Sequence, residues 1–141
     1  LNGKSWNGEL GVHSDEMLPG LTDLASRINS HGAISLVQIF HGGMRAPTEI
    51  TGRTPISSSR NRTKQSSTNF SRAMPETQIR EAIQWYVDAA IRCHKAGFDG
   101  VEIHGAHGYL ITQFLGKKTK DPMTGFFILK KGPLKGLSRK F

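Results

Sequence analysis

Apolar positions along this chain recur at two different periods. Leu21, Leu24, Ala25 and Ile28 follow one another at spacings of three and four, a stripe as wide as one helix face. Ser14, Asp15 and Glu16 place polar and acidic groups ahead of that stripe. Pro19 suits a first turn, where its missing N–H would be unpaired anyway. Gly32, after His31, supplies a stop. The pattern predicts a helix over 18–30. Ala33 to Phe40 (AISLVQIF) is then a short apolar and β-branched run. It predicts a strand buried on both faces, with Gln38 near its C-terminal end and His41-Gly42-Gly43 breaking it.

The strongest helical pattern covers 76–96. Ile79, Ile83, Tyr86, Ala90 and Cys93 share one stripe, flanked by Ala82, Val87 and Ala89. Pro75 and Glu76 mark its start, and Lys95 and Gly97 its end. Cys93 sits at a stripe position and reads as a small core residue. Phe98-Asp99-Gly100 is a tight turn. In the strand predicted over 101–104, Val101 and Ile103 point one way, Glu102 and His104 the other. GAHGY at 105–109 is a Gly-rich loop, and 110–115 begins another helix. Residues 46–75, rich in Pro, Ser, Thr and Arg, hold no sustained period. A loop of that length inside a domain is usually functional or disordered. It reads as an excursion over one face, with Arg53, Arg60, Arg62, Lys64 and Arg72 as solvated loop charge.

Helix and strand therefore alternate, which predicts a parallel sheet with right-handed crossovers. Two parallel strands cannot cover themselves, so the pattern predicts a piece of a larger α/β fold. The first residue is Leu1 rather than Met, which fits a fragment.

The chain has 141 residues and a formal charge of +8, which suggests nucleic acid until the charge is localised. Residues 1–116 carry 11 Lys and Arg against 10 Asp and Glu, whereas 117–141 carry eight against Asp121 alone. The body is nearly neutral and the basicity belongs to a tail. No apolar run is long enough to span a membrane. One cysteine excludes an internal disulfide and a multi-cysteine zinc site, and is compatible with a reducing, cytoplasmic setting.

Both predicted strands end in hydrogen-bonding side chains followed by glycines. Gln38 and His41 close the first; Glu102 and His104, then His107 and Tyr109, follow the second. In parallel α/β folds ligands bind beyond those C-terminal strand ends. Three readings of HGAHGY stay open on the residues alone. The histidines can make ordinary local hydrogen bonds. They can bind a metal with Glu102 or His41 as third ligand, although no characteristic spacing is present. Or two imidazoles can hold a substrate oxygen while Tyr109, a phenol with an ordinary pKa of about 10, delivers a proton. Gln38 offers a donor and an acceptor together, which suits a planar heterocycle or simply a neighbouring backbone group.

LVQIFHGG with Arg45 two residues on, and above all AGFDGVEIHGAHGYLITQFL at 96–115, resemble the Old Yellow Enzyme family of FMN-dependent ene reductases, the NADH:flavin oxidoreductases. The resemblance extends over the 76–96 helix and more loosely over 11–75. It implies a fragment of a TIM (β/α)8 barrel, its third and fourth strands with flanking helices, in 1–116. By motif matching, Gln38 corresponds to the glutamine bonding the flavin pyrimidine ring. His104 and His107 correspond to the pair binding a substrate carbonyl, and Tyr109 to the proton donor. The implied cofactors are FMN and NAD(P)H, and the implied substrates are activated alkenes, the α,β-unsaturated carbonyls. Other flavin-binding segments of the family fall before Leu1 and after Phe141, so the isolated chain is expected to be inactive. After Leu115 the sequence departs from the family, and 117–141 reads as a frameshifted, misspliced or disordered tail. The alternatives are tail-driven binding of nucleic acid or an anionic surface, and a metal-dependent barrel hydrolase using His104, His107 and Glu102.

Overall fold

The structure is a computed structural model that describes residues 3–115. The predicted basic tail, 117–141, lies outside the described residues. Two compact units are present, one built from 10–39 and 80–104, the other from 3–9, 40–79 and 105–115. Among the described residues no helix is long and apolar enough to cross a membrane.

In the first unit, helix α1 (Leu18–Asn29), strand β1 (Leu36–Ile39), most of a long helix that starts at Glu76 and strand Gly100–Ile103 share one core. The two strands pair in parallel, with Val37 opposite Val101 and Ile39 opposite Ile103. Leu21 and Ala25, Ile39, Ala89, Cys93, Ala96 and Phe98 form that core. Burying a side chain the size of Leu21 or Phe98 is worth about 1.5–3 kcal/mol. The long helix contributes the small residues Ala89 and Cys93 to this core. Ile83 is 54% exposed, a departure from the predicted stripe. Gly97, at φ +91°, ends the helix in the left-handed conformation that glycine adopts without a Cβ clash. Arg92 ties this helix to the segment before α1, donating to Asp15 at 2.6 Å and to the Val12 carbonyl at 3.3 Å.

The expectation of a first strand buried on both faces is corrected. Helices cover the side bearing Val37 and Ile39, whereas Leu36 is 64% exposed and Gln38 is exposed as well. The strand is also shorter than the apolar run, because its parallel partner offers only four register positions.

The second unit contains a 3-10 turn (Gly43–Arg45), helix α2 (Thr48–Thr51), strands β2 (Ile56–Ser57) and β3 (Arg72–Ala73), the first turn of helix α3 (Glu76–Lys95), and helix α4 (Leu110–Leu115). The strand Gly100–Ile103 of the first unit is thus β4. The periodless stretch 46–75 is a packed polar scaffold, with Ser57, Ser58, Asn61, Thr63 and Ser71 all buried. Asn61 donates from Nδ2 to Ser57 Oγ at 3.1 Å, Ser71 Oγ accepts the Asn61 N–H at 3.0 Å, and Thr63 Oγ1 donates to the Met44 carbonyl at 2.9 Å. Small hydroxyl and amide side chains can be buried when every polar atom finds a partner. Such packing leaves no apolar period to read. Nor are its arginines uniformly solvated, since Arg60 stacks 3.8 Å from the Phe70 ring centroid and Arg72 donates to Gln78 at 2.7 Å.

Candidate functional site

Strand register places Gln38 opposite Glu102, both on the exposed side of the β1–β4 pair. The Gln38 Nε2 donates to the Glu102 carboxylate at 3.0 Å. His104 stands two residues further along the Glu102 side and continues the ladder, its N–H reaching the Ile39 carbonyl at 3.0 Å. Gln38, Glu102 and His104 are thus gathered at the C-terminal end of this strand pair. The strand mouths are tied at the other end too, where Asp99 accepts from the Ser35 N–H and hydroxyl at 2.7 and 3.1 Å.

His107 and Tyr109 belong to the second unit, with His41 and Arg45. The loop turns through two consecutive left-handed residues, His107 at φ +55° and Gly108 at φ +71°. For a non-glycine residue that conformation costs roughly 1–2 kcal/mol, so its surroundings must hold it. Arg45 Nη1 donates to the His107 carbonyl at 2.7 Å. The same guanidinium lies 5.4 Å from the Tyr109 ring centroid, a cation–π geometry worth about 0.5–1 kcal/mol. Phe40 packs on the Tyr109 ring at a centroid distance of 5.0 Å, and Trp6 stacks on Phe40 at 5.8 Å. The Tyr109 N–H closes the turn on the Ala106 carbonyl at 3.2 Å, and the Leu110 N–H anchors it to the His41 carbonyl at 2.9 Å.

His41 is buried, and burial pushes its imidazole down to about 4. It is therefore neutral near pH 7. Its Nδ1 accepts the Gly43 N–H at 3.0 Å, which places the proton on Nε2. Cys93 is fully buried, and burial raises its thiol above the ordinary range, in keeping with a core residue. Among the described residues, no three of His, Cys, Asp and Glu gather so as to hold a metal ion.

The sequence patterns assigned no role to Gln113 or Phe40, and none to Arg45 beyond its place in a motif. A signal for Gln113 existed. It is a lone amide inside the apolar run LITQFL, and a polar group at a buried position must have partners. It is fully buried, and its carboxamide bonds to three backbone groups.

Comparison with known proteins agrees with this architecture. The structure of an old yellow enzyme homologue from Zymomonas mobilis matches with a TM-score of 0.77 at 28% identity, over 83% of this chain and 35% of that one. The parallel strands and their helices are a segment of a TIM barrel of the Old Yellow Enzyme type. The family model for the NADH:flavin oxidoreductase / NADH oxidase family matches residues 1–123, and the chain belongs to that family, which is FMN-dependent and uses NADH or NADPH. An NADPH dehydrogenase of Halalkalibacterium halodurans is 42% identical over 113 residues, 79% of this chain and 31% of that protein. An NADH:acrylate oxidoreductase of Vibrio harveyi is also 42% identical over 113 residues, 79% of this chain and 11% of that protein. The chain thus spans about a third of the length of the NADPH dehydrogenase that it matches.

Proposed function

We propose that this chain is the third- and fourth-strand region of an FMN-dependent NAD(P)H oxidoreductase that reduces activated alkenes. Residues 1–116 are then a partial FMN-binding barrel domain and 117–141 a basic tail. The observation that carries this reading is the loop at 105–109, where Arg45 bonds the His107 carbonyl and helps hold His107 in an otherwise costly left-handed conformation, two residues before Tyr109. Preplaced donors are worth most where negative charge develops in a transition state. Acrylate, named in the Vibrio relative, is itself an activated alkene, which supports the substrate class.

The residues present fit a flavin. Gln38 stands exposed beyond the helix-covered face of β1, and Glu102 engages its amide nitrogen. Its carbonyl oxygen and second N–H remain for a planar ring edge with alternating C=O and N–H groups. Gln38 would hold that edge. Bound FMN supplies hydride transfer, from NAD(P)H and on to the β-carbon of the alkene. The protein's part is then to orient and polarise. His104 and His107 donate to the substrate carbonyl oxygen and stabilise the charge it gains. The Tyr109 hydroxyl delivers a proton to the α-carbon.

Changing Tyr109→Phe in the complete FMN-loaded protein tests this. Reduction of an enone should slow about 10²–10⁴-fold, the usual worth of a positioned acid, while reduction of the flavin by NAD(P)H stays within about twofold. Equal losses in both half-reactions would remove Tyr109 from the acid role. A metal-dependent hydrolase lacks its ligand cluster among the described residues, and tail-driven binding rests on residues outside them.

A further inference from the structure

Two side chains hold the carbonyls of the two left-handed residues in the His107–Gly108 turn. Arg45 Nη1 donates to the His107 carbonyl at 2.7 Å, and Gln113 Nε2 donates to the Gly108 carbonyl at 2.6 Å. The holders are themselves joined. Gln113 Oε1 accepts the N–H of Met44, the neighbour of Arg45, at 3.0 Å, and the second amide hydrogen of Gln113 reaches the Gly42 carbonyl at 3.3 Å. The result is a closed ring of contacts through Arg45, His107, Gly108, Gln113 and Met44. Gln113 is completely buried, and both of its amide hydrogens are engaged. Gly43, at φ +61°, leaves room for it, since a Cβ there would collide with the Gln113 carboxamide.

We propose that Gln113 and Arg45 are positioning residues, which clamp the His107–Gly108 carbonyls and thereby set where the His107 imidazole and the Tyr109 hydroxyl stand over the substrate. The proposal rests on the roles given to His107 and Tyr109 above. Neither Gln113 nor Arg45 donates to the reacting atoms. Their effect passes through the loop, because the residues on either side of Gly108 can move only if one of these carbonyls is released. A carboxamide is required at 113, since it must accept from Met44 and donate to Gly108 at once. A carboxylate of the same shape can only accept. It would face the Gly108 and Gly42 carbonyls with like partial charge.

The test uses the complete FMN-loaded protein, with reoxidation of its reduced flavin by 2-cyclohexenone followed by stopped-flow absorbance. At pH 8, Gln113→Glu should slow that step about tenfold or more, and the rate should recover several-fold towards pH 5.5. Recovery is expected because the introduced carboxyl, once protonated, again donates to Gly108 while accepting from Met44. The unsubstituted protein should show no such acid-side recovery. A rate within twofold of the unsubstituted protein at pH 8, or a loss without acid recovery in a variant that retains FMN, overturns the proposal. If Gln113→Glu does not retain FMN, Arg45→Met decides, because Arg45 is exposed and its loss leaves the buried packing intact. It should lower kcat with the enone about fivefold, with partial rescue by Arg45→Lys. Unchanged kcat and KM in Arg45→Met overturn the clamp. Tyr109→Phe, run alongside, separates the two levels. If it too leaves the enone step unchanged, the role of Tyr109 has failed; if it alone slows the step, only the clamp has.

Discussion

The amide nitrogen of Gln38 donates to the carboxylate of Glu102 at 3.0 Å, between residues that are also register partners across the parallel strands. A carboxylate only accepts, so Glu102 selects the nitrogen side of the amide and fixes which way its carbonyl oxygen faces. Gln38→Leu is expected to weaken FMN binding by the complete apoprotein about tenfold, the loss of roughly one hydrogen bond. Glu102→Gln, which lets the Gln38 amide turn either way, should cost about two- to threefold. Fluorescence titration of FMN into apoprotein measures both. An affinity unchanged in Gln38→Leu would take this residue out of the flavin site.

His41 makes stability depend on acid. Its imidazole is held at about 4 by burial, below the ordinary 6.5. Above pH 6.5 neither the folded nor the unfolded chain protonates it, so it contributes no slope. Between 6.5 and 4 the unfolded chain binds the proton and the folded one does not, so stability falls as pH falls. The full loss, reached near pH 4, is about 3 kcal/mol. Urea denaturation at pH 7.5, 6 and 5 should show this decline, and His41→Gln, which can still accept the Gly43 N–H, should flatten it. An equal acid slope in the variant would assign the decline to other groups.

Asp99 joins the entrances of the two strands. Its carboxylate accepts from the Ser35 N–H and hydroxyl, and its own N–H donates to the Ser35 carbonyl at 3.0 Å. Ser35 is only 3% exposed, so Asp99→Ala would strand a buried N–H. The expected cost is about 1–3 kcal/mol in chemical denaturation. Asp99→Asn keeps an acceptor and should cost about half as much. Equal stability of all three proteins would show that water replaces the carboxylate.

The elements most legible in the sequence were those whose burial is apolar. Helix α1 and helix α3 fall within one residue of their predicted ends, because a 3.6-residue period and Pro, Gly and charge signals at the termini all agree. The strand residues Gln38, Glu102 and His104 were legible as candidates because polar groups at strand ends break an apolar alternation. The scaffold within 46–75 was not legible, since Asn61, Ser71 and Thr63 are buried through hydrogen bonds rather than hydrophobicity. Gln113 stayed hidden for a related reason. Its partners, Gly42, Met44 and Gly108, use backbone groups that any residue possesses.

Local sequence determined where helices and strands form, that the two strands run parallel, and which imidazoles, phenol and amide follow the strand ends. The elements and the residues at their ends depend on neighbours a few residues away, and the parallel direction follows from the alternation of helix and strand. Tertiary structure alone decided that Gln38 faces Glu102, that only one side of β1 is covered, and that Arg45 and Gln113 grip the His107–Gly108 turn. Apart from the Gln113–Gly108 bond, which spans five residues, these hydrogen bonds join positions more than 60 residues apart, and a directional hydrogen bond between distant segments leaves no periodicity behind.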